Sequence, residues 1–263
     1  MFSEAMKELI TTASILWKVD PDSLFAVIEV ESSGKPLVKV QERSEPAITF
    51  NKHHFYRRLS GAKLETAIRE GLALPHDEPN INPVTQSARW RMLARAIEID
   101  RKAAYEATFW GMGRILGAHW AWLGFGSVDA LVREARVGPQ GQLSLMMRFI
   151  EKADLIGTLR MQDWERFALS YRGPSDDHSE YRKQLAQAYR RQTSRRSGQA
   201  QQGSQPECAS AANKELPLAC FVEAEAADEE VPQISSRCET THGKGVSTAL
   251  QRARTWIDQL RGS

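Results

Sequence analysis

The chain has few cysteines and no long apolar segment. Cys208, Cys220 and Cys238 all lie late in the 263 residues, and their odd number and wide spacing argue against a disulfide framework. No C-x-x-C pair occurs, so a zinc site of that kind is not indicated, and we expect neither a metal nor a cofactor. No stretch approaches the ~18–20 consecutive apolar residues of a membrane span. These absences disfavour a disulfide-rich scaffold, a zinc ribbon and a membrane-spanning protein.

The charge pattern is ordinary, and it does not single out an anionic polymer as a partner. The formal net charge is +2, with 41% hydrophobic and 26% charged residues, as in a globular protein. The basic run at 189–196 could bind nucleic acid, but cations that complement a helix C-terminus explain most of it. We therefore expect no nucleic-acid partner. The first eight residues lack a basic region followed by an apolar one, which predicts no secretory signal and synthesis in the cytoplasm.

Composition divides the chain into three parts. Residues 1–191 are predicted to form a mainly helical domain, and residues 192–245 a polar and then acidic linker that is disordered. Apolar residues recur at helical spacing in 246–263, which predicts a C-terminal amphipathic helix. Within the first part, apolar periodicity and caps predict helices at 3–17, 21–32, 53–59, 63–70, 87–104, 108–119, 127–136, 139–153, 161–171 and 178–191.

One short region between the second and third helices has a strand pattern. Residues 37–41 and 46–50 are rich in β-branched and aromatic residues and flank the polar residues 42–45. This arrangement predicts a β-hairpin. A predominantly helical domain with one small hairpin belongs to the α+β class.

Glu31 occupies an unusual position on the helix predicted at 21–32. It shares one stripe of that helix with three apolar residues, Leu24, Val27 and Ile28. Burial disfavours the ionised form of a carboxyl group, and a general acid must hold its proton near neutral pH. On spacing alone, a glutamate that reaches solvent or pairs with a nearby arginine is the more common outcome.

The residues around Glu31 carry a family resemblance. Residues 25–34, Phe-Ala-Val-Ile-Glu-Val-Glu-Ser-Ser-Gly, resemble the catalytic-glutamate motif of lysozyme-like muramidases. Residues 5–191 resemble the N-acetylmuramidase domain of modular phage endolysins, through motifs at 49–59, 109–117, 142–150 and 164–174. The resemblance implies a lysozyme-like fold with a small hairpin after the glutamate helix. It also implies cleavage of the β-1,4 bond between N-acetylmuramic acid and N-acetylglucosamine, with Glu31 as the general acid. The partner would be peptidoglycan glycan strands, met in the periplasm or cell wall after release or secretion.

The same motifs supply the candidate substrate-binding residues, which are Ser32, Asn51, His54, Trp110, Arg114, Tyr171 and Arg172. The family tends to carry an acid at the position of Asn51, a small polar residue at Phe109, a glutamine at Arg114 and an asparagine at Arg172. Arginine only donates hydrogen bonds, so contacts that need an acceptor would be lost. A peptidoglycan-binding protein that keeps the fold but is weakly active or inactive is therefore an alternative. Tryptophans 90, 110, 120 and 122 could offer platforms for sugar rings, although Trp120 fits a core position better.

A second carboxylate is the open question of the site. Glu42 and Glu45 lie in the predicted hairpin and could face Glu31, while a polar turn with solvated charges is the alternative. If no acid faces Glu31, the acetamido group or the 6-hydroxyl of the substrate could complete the reaction. The 6-hydroxyl route would yield 1,6-anhydro ends, as lytic transglycosylases do.

Overall fold

The computed structural model describes residues 2–173 and 178–202, which form a predominantly helical fold with two small antiparallel sheets. Helices α1 to α10 are Glu4–Trp17, Pro21–Ser32, Lys52–Tyr56, Gly61–Arg69, Gln86–Glu106, Val128–Arg136, Pro139–Lys152, Ile156–Met161, Trp164–Arg172 and Ser179–Gln202. Strands β1 to β5 are Leu37–Val40, Arg43–Pro46, Ile48–Phe50, Thr108–Trp110 and Ile115–Leu116. The predicted α+β class is confirmed.

Short polar side chains cap several of the predicted helices. Ser3, Thr85, Ser127 and Asp163 each accept a hydrogen bond from a backbone N–H of the following turn. Helix α2 begins differently, because Pro21 fills its first position and the Asp20 side chain makes no capping bond. Local sequence signals of this kind are why these helix positions could be predicted.

The helix predicted at 108–119 is wrong. Residues 108–116 form strands β4 and β5, and β3, β4 and β5 make one antiparallel sheet in which Phe109 pairs with Leu116. A short 3-10 turn follows at Gly117–His119. Three glycines lower the helix propensity of this segment, and pairing of β4 with β3 supplies hydrogen bonds from outside it.

The predicted hairpin exists, but its second strand lies elsewhere. Strand β1 pairs with β2, from Leu37 opposite Pro46 to Val40 opposite Arg43. The turn is therefore at residues 41–42, where Gln41 adopts a positive φ of 53°. Residues 48–50 do not pair with β1, since they belong to the other sheet.

Two apolar cores support these elements. One lies around α5 and the sheet of β3, β4 and β5, and the other lies among α1, α2, α7 and α9. On α2, Leu24, Val27 and Ile28 are all fully buried in the second core, so the predicted stripe is confirmed. Glu31 at the end of α2 lies within 4.0 Å of Arg114 in the β4–β5 turn. The end of α2 thus meets the sheet beside Glu31.

The last described helix is longer than predicted. It was expected to end at 191, but α10 continues to Gln202, into the segment predicted as a linker. The rest of that linker and the helix predicted at 246–263 lie outside the described residues. Among the helices that are described, none has the length and apolar character needed to cross a membrane.

Candidate active site

The Glu31 carboxylate is enclosed by two arginines. Its side chain is only 2% exposed. Oε1 accepts hydrogen bonds from Arg172 Nη2 at 3.1 Å and from Arg172 Nε at 3.3 Å, and Oε2 lies 4.0 Å from Arg114 Nε. Pairing with arginine, the commoner outcome for such a glutamate, is therefore what the structure contains. Two donors from one guanidinium hold the Glu31 side chain in place.

The β4–β5 turn places Arg114 at Glu31. A Cβ on Gly111 would lie 2.7 Å from Gln142 Cγ, and one on Gly113 would lie 2.8 Å from Met146 Cβ, so only glycine allows this close approach to α7. Gln142 Oε1 also accepts the Met112 N–H at 2.9 Å. Arg114 itself adopts a positive φ of 49°, which is uncommon for a residue with a Cβ. The contact between this turn and α7 explains why the motifs at 109–117 and 142–150 belong together.

Two tyrosines lie in the pocket around Glu31: Tyr171, which is half-buried, and Tyr181, which is buried. Tyr171 of α9 donates a hydrogen bond of 2.7 Å to the Gly113 carbonyl, and burial together with the charge of Glu31 raises its pKa well above the ordinary value. Burial and then the charge of Glu31 likewise raise the pKa of Tyr181 on α10. The Tyr181 hydroxyl has no hydrogen bond of normal geometry within the described residues. Sequence reasoning missed Tyr181, because it lies outside every motif that pointed to the site.

His54 is linked to this pocket through Phe109. The Arg114 guanidinium lies 6.0 Å from the centre of the Phe109 ring, and the His54 ring packs edge-on against that ring at 6.4 Å. Burial, followed by the charges of Arg58 and Arg57, lowers the pKa of His54 to about 4. His54 is thus a neutral imidazole near neutral pH.

The side chains of Asn51 and Ser32 form hydrogen bonds with backbone groups of α3 and α2. The Asn51 side chain caps α3 by accepting the His54 N–H at 2.9 Å. The Ser32 hydroxyl donates a hydrogen bond of 2.7 Å to the Ile28 carbonyl one turn earlier. Both side chains therefore have local structural partners, whatever contact they make with substrate.

The hairpin acids are not brought to Glu31. Glu45 is 7% exposed and forms an ion pair with Arg136 of α6, which donates from Nε at 2.8 Å and from Nη2. Glu42 lies exposed in the β1–β2 turn. Of the carboxylates in the described part of the chain, only Glu31 acts on the pKa of Tyr171, Tyr181 and Arg172. Glu45 does not face the cleft because its strand turns it toward α6.

Trp110 is a core residue rather than a platform in the cleft. Its side chain is 1% exposed, and its Nε1 donates a hydrogen bond of 3.1 Å to the Tyr105 carbonyl. Trp120 also packs against the core, as predicted. The structure instead places an exposed aromatic residue, Trp122, at the end of a row that leads to Tyr171.

This aromatic row consists of Trp122, Phe149 and Tyr171. Trp122 is 44% exposed, and its ring centre lies 5.5 Å from that of Phe149. Phe149 in turn lies 5.2 Å from Tyr171, whose charge environment includes Glu31. Each contact joins a different element, so the sequence gives no signal for the row as a whole. Among the described residues, no group of three His, Cys, Asp or Glu side chains is suited to hold a metal ion.

The fold and the buried glutamate define the class of the protein, and comparison with known proteins defines its family. A mostly helical fold with a small sheet against the glutamate helix is that of a lysozyme-like glycoside hydrolase. The family model for N-acetylmuramidase matches residues 20–193, and the chain belongs to this family. The crystal structure of the Burkholderia AP3 phage endolysin is similar, with a TM-score of 0.59 and 29% sequence identity over 70% of this chain and 69% of that chain. No curated protein matches the chain. The protein is therefore a muramidase domain of the phage-endolysin type, and it acts on cell-wall peptidoglycan.

Proposed function

We propose that this domain cleaves the β-1,4 bond between N-acetylmuramic acid and N-acetylglucosamine, with Glu31 as the general acid. The observation that carries the proposal is the burial of Glu31, whose side chain is 2% exposed at the end of the apolar stripe of α2. Glycosidic cleavage needs a carboxyl group that can protonate the leaving oxygen, and Glu31 is the carboxyl group beside Arg172 and Tyr171. The protein would meet its substrate in the periplasm or cell wall, after release or secretion.

The reacting form of Glu31 must be protonated and free of Arg172. A carboxylate that accepts two hydrogen bonds from a guanidinium cannot donate a proton to a glycosidic oxygen. Once Arg172 has moved, protonated Glu31 can donate to the oxygen that leaves with N-acetylglucosamine. Positive charge then develops on the muramic acid ring as the C1–O bond breaks.

After the C1–O bond breaks, C1 is attacked either by water or by a hydroxyl group of the substrate itself. No other described carboxylate acts on the tyrosines and the arginine that surround Glu31. The acetamido group of the muramic acid can assist attack by water at C1, which gives hydrolysis. Attack by the 6-hydroxyl instead gives a 1,6-anhydro end, so the two products differ in mass by one water.

Digestion of isolated sacculi tests the proposal. The native protein and a Glu31→Gln variant are incubated with sacculi, and the soluble fragments are identified by mass spectrometry. We expect the native protein to release fragments that end in N-acetylmuramic acid or its 1,6-anhydro form, and the variant to release at least about 100-fold less, as for loss of a general acid. Fragments ending in N-acetylglucosamine, or equal release by both proteins, would contradict the proposal.

A binding protein without turnover is the second candidate. The observation that favours it is the ion pair between Arg172 and Glu31, because that pair occupies the carboxylate in the described state. Sedimentation of the protein with sacculi, without release of fragments at any pH, would support this candidate.

A further inference from the structure

Arg172 closes the Glu31 carboxylate. Its Nε and Nη2 both donate to Glu31 Oε1, while Arg114 approaches the other oxygen. The remaining 2% exposure of the Glu31 side chain leaves no space for a glycosidic oxygen at hydrogen-bond distance. Substrate must therefore take the place of a guanidinium, and Arg172 makes the shorter contacts of the two.

Arg172 has a second partner besides Glu31. Its side chain is 38% exposed, and it is the last residue of α9, followed by Gly173 with φ of 88°. Its guanidinium carbon lies 4.0 Å from the centre of the Tyr181 ring. A cation over an aromatic face keeps part of its stabilisation when an ion pair is lost. Arg172 can thus move away from Glu31 toward solvent and still retain a contact with the Tyr181 ring.

The charges that face Glu31 come from each element packed against it. Helix α9 contributes Arg172 and Tyr171, helix α10 contributes Tyr181, and the β4–β5 turn contributes Arg114. Burial lowers the pKa of Arg89 on α5, and the charge of Arg114 lowers it further. On α2 itself, Glu29 is turned away and pairs with Arg191 at 2.7 Å.

Removal of Arg172 changes the charges that surround Glu31. Burial lowers the pKa of Arg172, but the charges of Glu31 and Tyr181 and the hydrogen bonds to these residues together raise it above its ordinary value. A positive charge beside a carboxyl group favours its ionised form. Without Arg172, Arg114 at 4.0 Å is the cation that remains beside Glu31 among the described residues.

We propose that Arg172 is a latch residue, which closes Glu31 in the substrate-free protein and sets the alkaline limit of activity. The inference rests on the proposed function of Glu31 and deepens it. Arg172 is a positioning residue, because it acts through Glu31 and not on the bond that is cleaved. Substrate releases the latch by displacing the guanidinium, and protonated Glu31 then faces the glycosidic oxygen.

The pH dependence of sacculus digestion tests the latch. Initial rates are measured across pH for the native protein, for the neutral variants Arg172→Asn and Arg172→Gln, and for Arg172→Lys. We expect the alkaline limb of both neutral variants to lie about one pH unit higher than that of the native protein, the lower end of the effect of an adjacent charge. Arg172→Lys keeps the charge, and its limb is expected near the native one. Two neutral variants guard against the failure of one of them to fold.

A matched control uses the same helix. Arg166 is exposed on α9, and Arg166→Asn is expected to leave the alkaline limb at the native pH. An unshifted limb in folded Arg172→Asn and Arg172→Gln, or an equal shift in Arg166→Asn, would overturn the latch. The Glu31→Gln variant separates failure of the latch from failure of the proposed function. If Glu31→Gln is inactive and the alkaline limb of the neutral Arg172 variants is unshifted, only the latch is wrong. If Glu31→Gln is active, the proposed function is wrong.

Discussion

At the residue scale, the chemistry of the site depends on which groups surround one carboxylate. Glu31 is placed by three fully buried apolar neighbours on α2, Leu24, Val27 and Ile28. Its position on that stripe could be predicted from spacing, because helix geometry is local. Its pairing with Arg172 could not be predicted, since Arg172 lies 141 residues further along the chain. Arg114 and Arg172 both stand at positions where the family resemblance implied polar amides. The sequence therefore indicated both residues as candidates but did not indicate their contact with Glu31.

Trp122 provides a prediction at the same scale. We expect Trp122→Ala to raise the KM for glycan by about 5-fold with little change in kcat, because a half-exposed ring at the end of the aromatic row can stack on a sugar remote from the bond cleaved. Steady-state kinetics on solubilised glycan chains measures both constants. Trp122→Phe retains an aromatic face and is expected to restore most of the affinity. An unchanged KM in Trp122→Ala would exclude this role.

At the element scale, the largest error of the sequence-based prediction is the helix at 108–119, where the structure has β4, β5 and the turn between them. The residues of 108–116 could be assigned to a helix because their strand partner, β3, is remote in sequence. Helices with clear caps, such as α1 and α6, could be predicted from local signals. The turn is fixed instead by close contacts with α5 and α7, which no local pattern records.

Gly117, which directly follows β5, provides a prediction at the element scale. A methyl group on Gly117 would overlap the backbone carbonyl oxygen of Tyr105 at the end of α5. We expect Gly117→Ala to lower the free energy of unfolding by about 1–3 kcal/mol, as for overpacking, and thermal denaturation measures this as a lower Tm. Gly126→Ala is the control, because no heavy atom lies within 4 Å of a Cβ there. Equal Tm values for the two variants would show that the approach to α5 is not tight.

At the scale of the whole molecule, the site lies where elements from two cores come together. The sequence could predict the fold class and the family, since motifs resembling the family are spread over residues 5–191 and the family model matches residues 20–193. It could not predict the length of α10, because polar residues beyond 191 carry no apolar stripe. Arg196 of this polar stretch nevertheless pairs with Asp20 and Asp22 at the start of α2, and Arg191 just before the stretch pairs with Glu29.

The stability of the whole fold should fall in acid, in part because of His54. Its pKa is lowered from 6.5 to about 4 by burial and then by Arg58 and Arg57. The unfolded chain therefore binds the proton more readily, so this contribution to stability is present above pH 6.5 and is lost as the pH falls toward 4. We expect His54→Gln to lose less free energy of unfolding between pH 7 and pH 5 than the native protein, as measured by urea denaturation at both values. A decrease as large as in the native protein would contradict the prediction.

The role of Glu31 as the acid is tested most directly by a pair of substitutions two residues apart. Glu31→Gln and Glu29→Gln make the same chemical change on α2, but Glu31 faces the pocket and Glu29 pairs with Arg191 on the other side. The initial rate of fragment release from sacculi is measured for both variants and for the native protein. We expect Glu29→Gln to keep most of the native rate and Glu31→Gln to fall by at least about 100-fold. A Glu31→Gln rate close to that of Glu29→Gln would contradict the assignment.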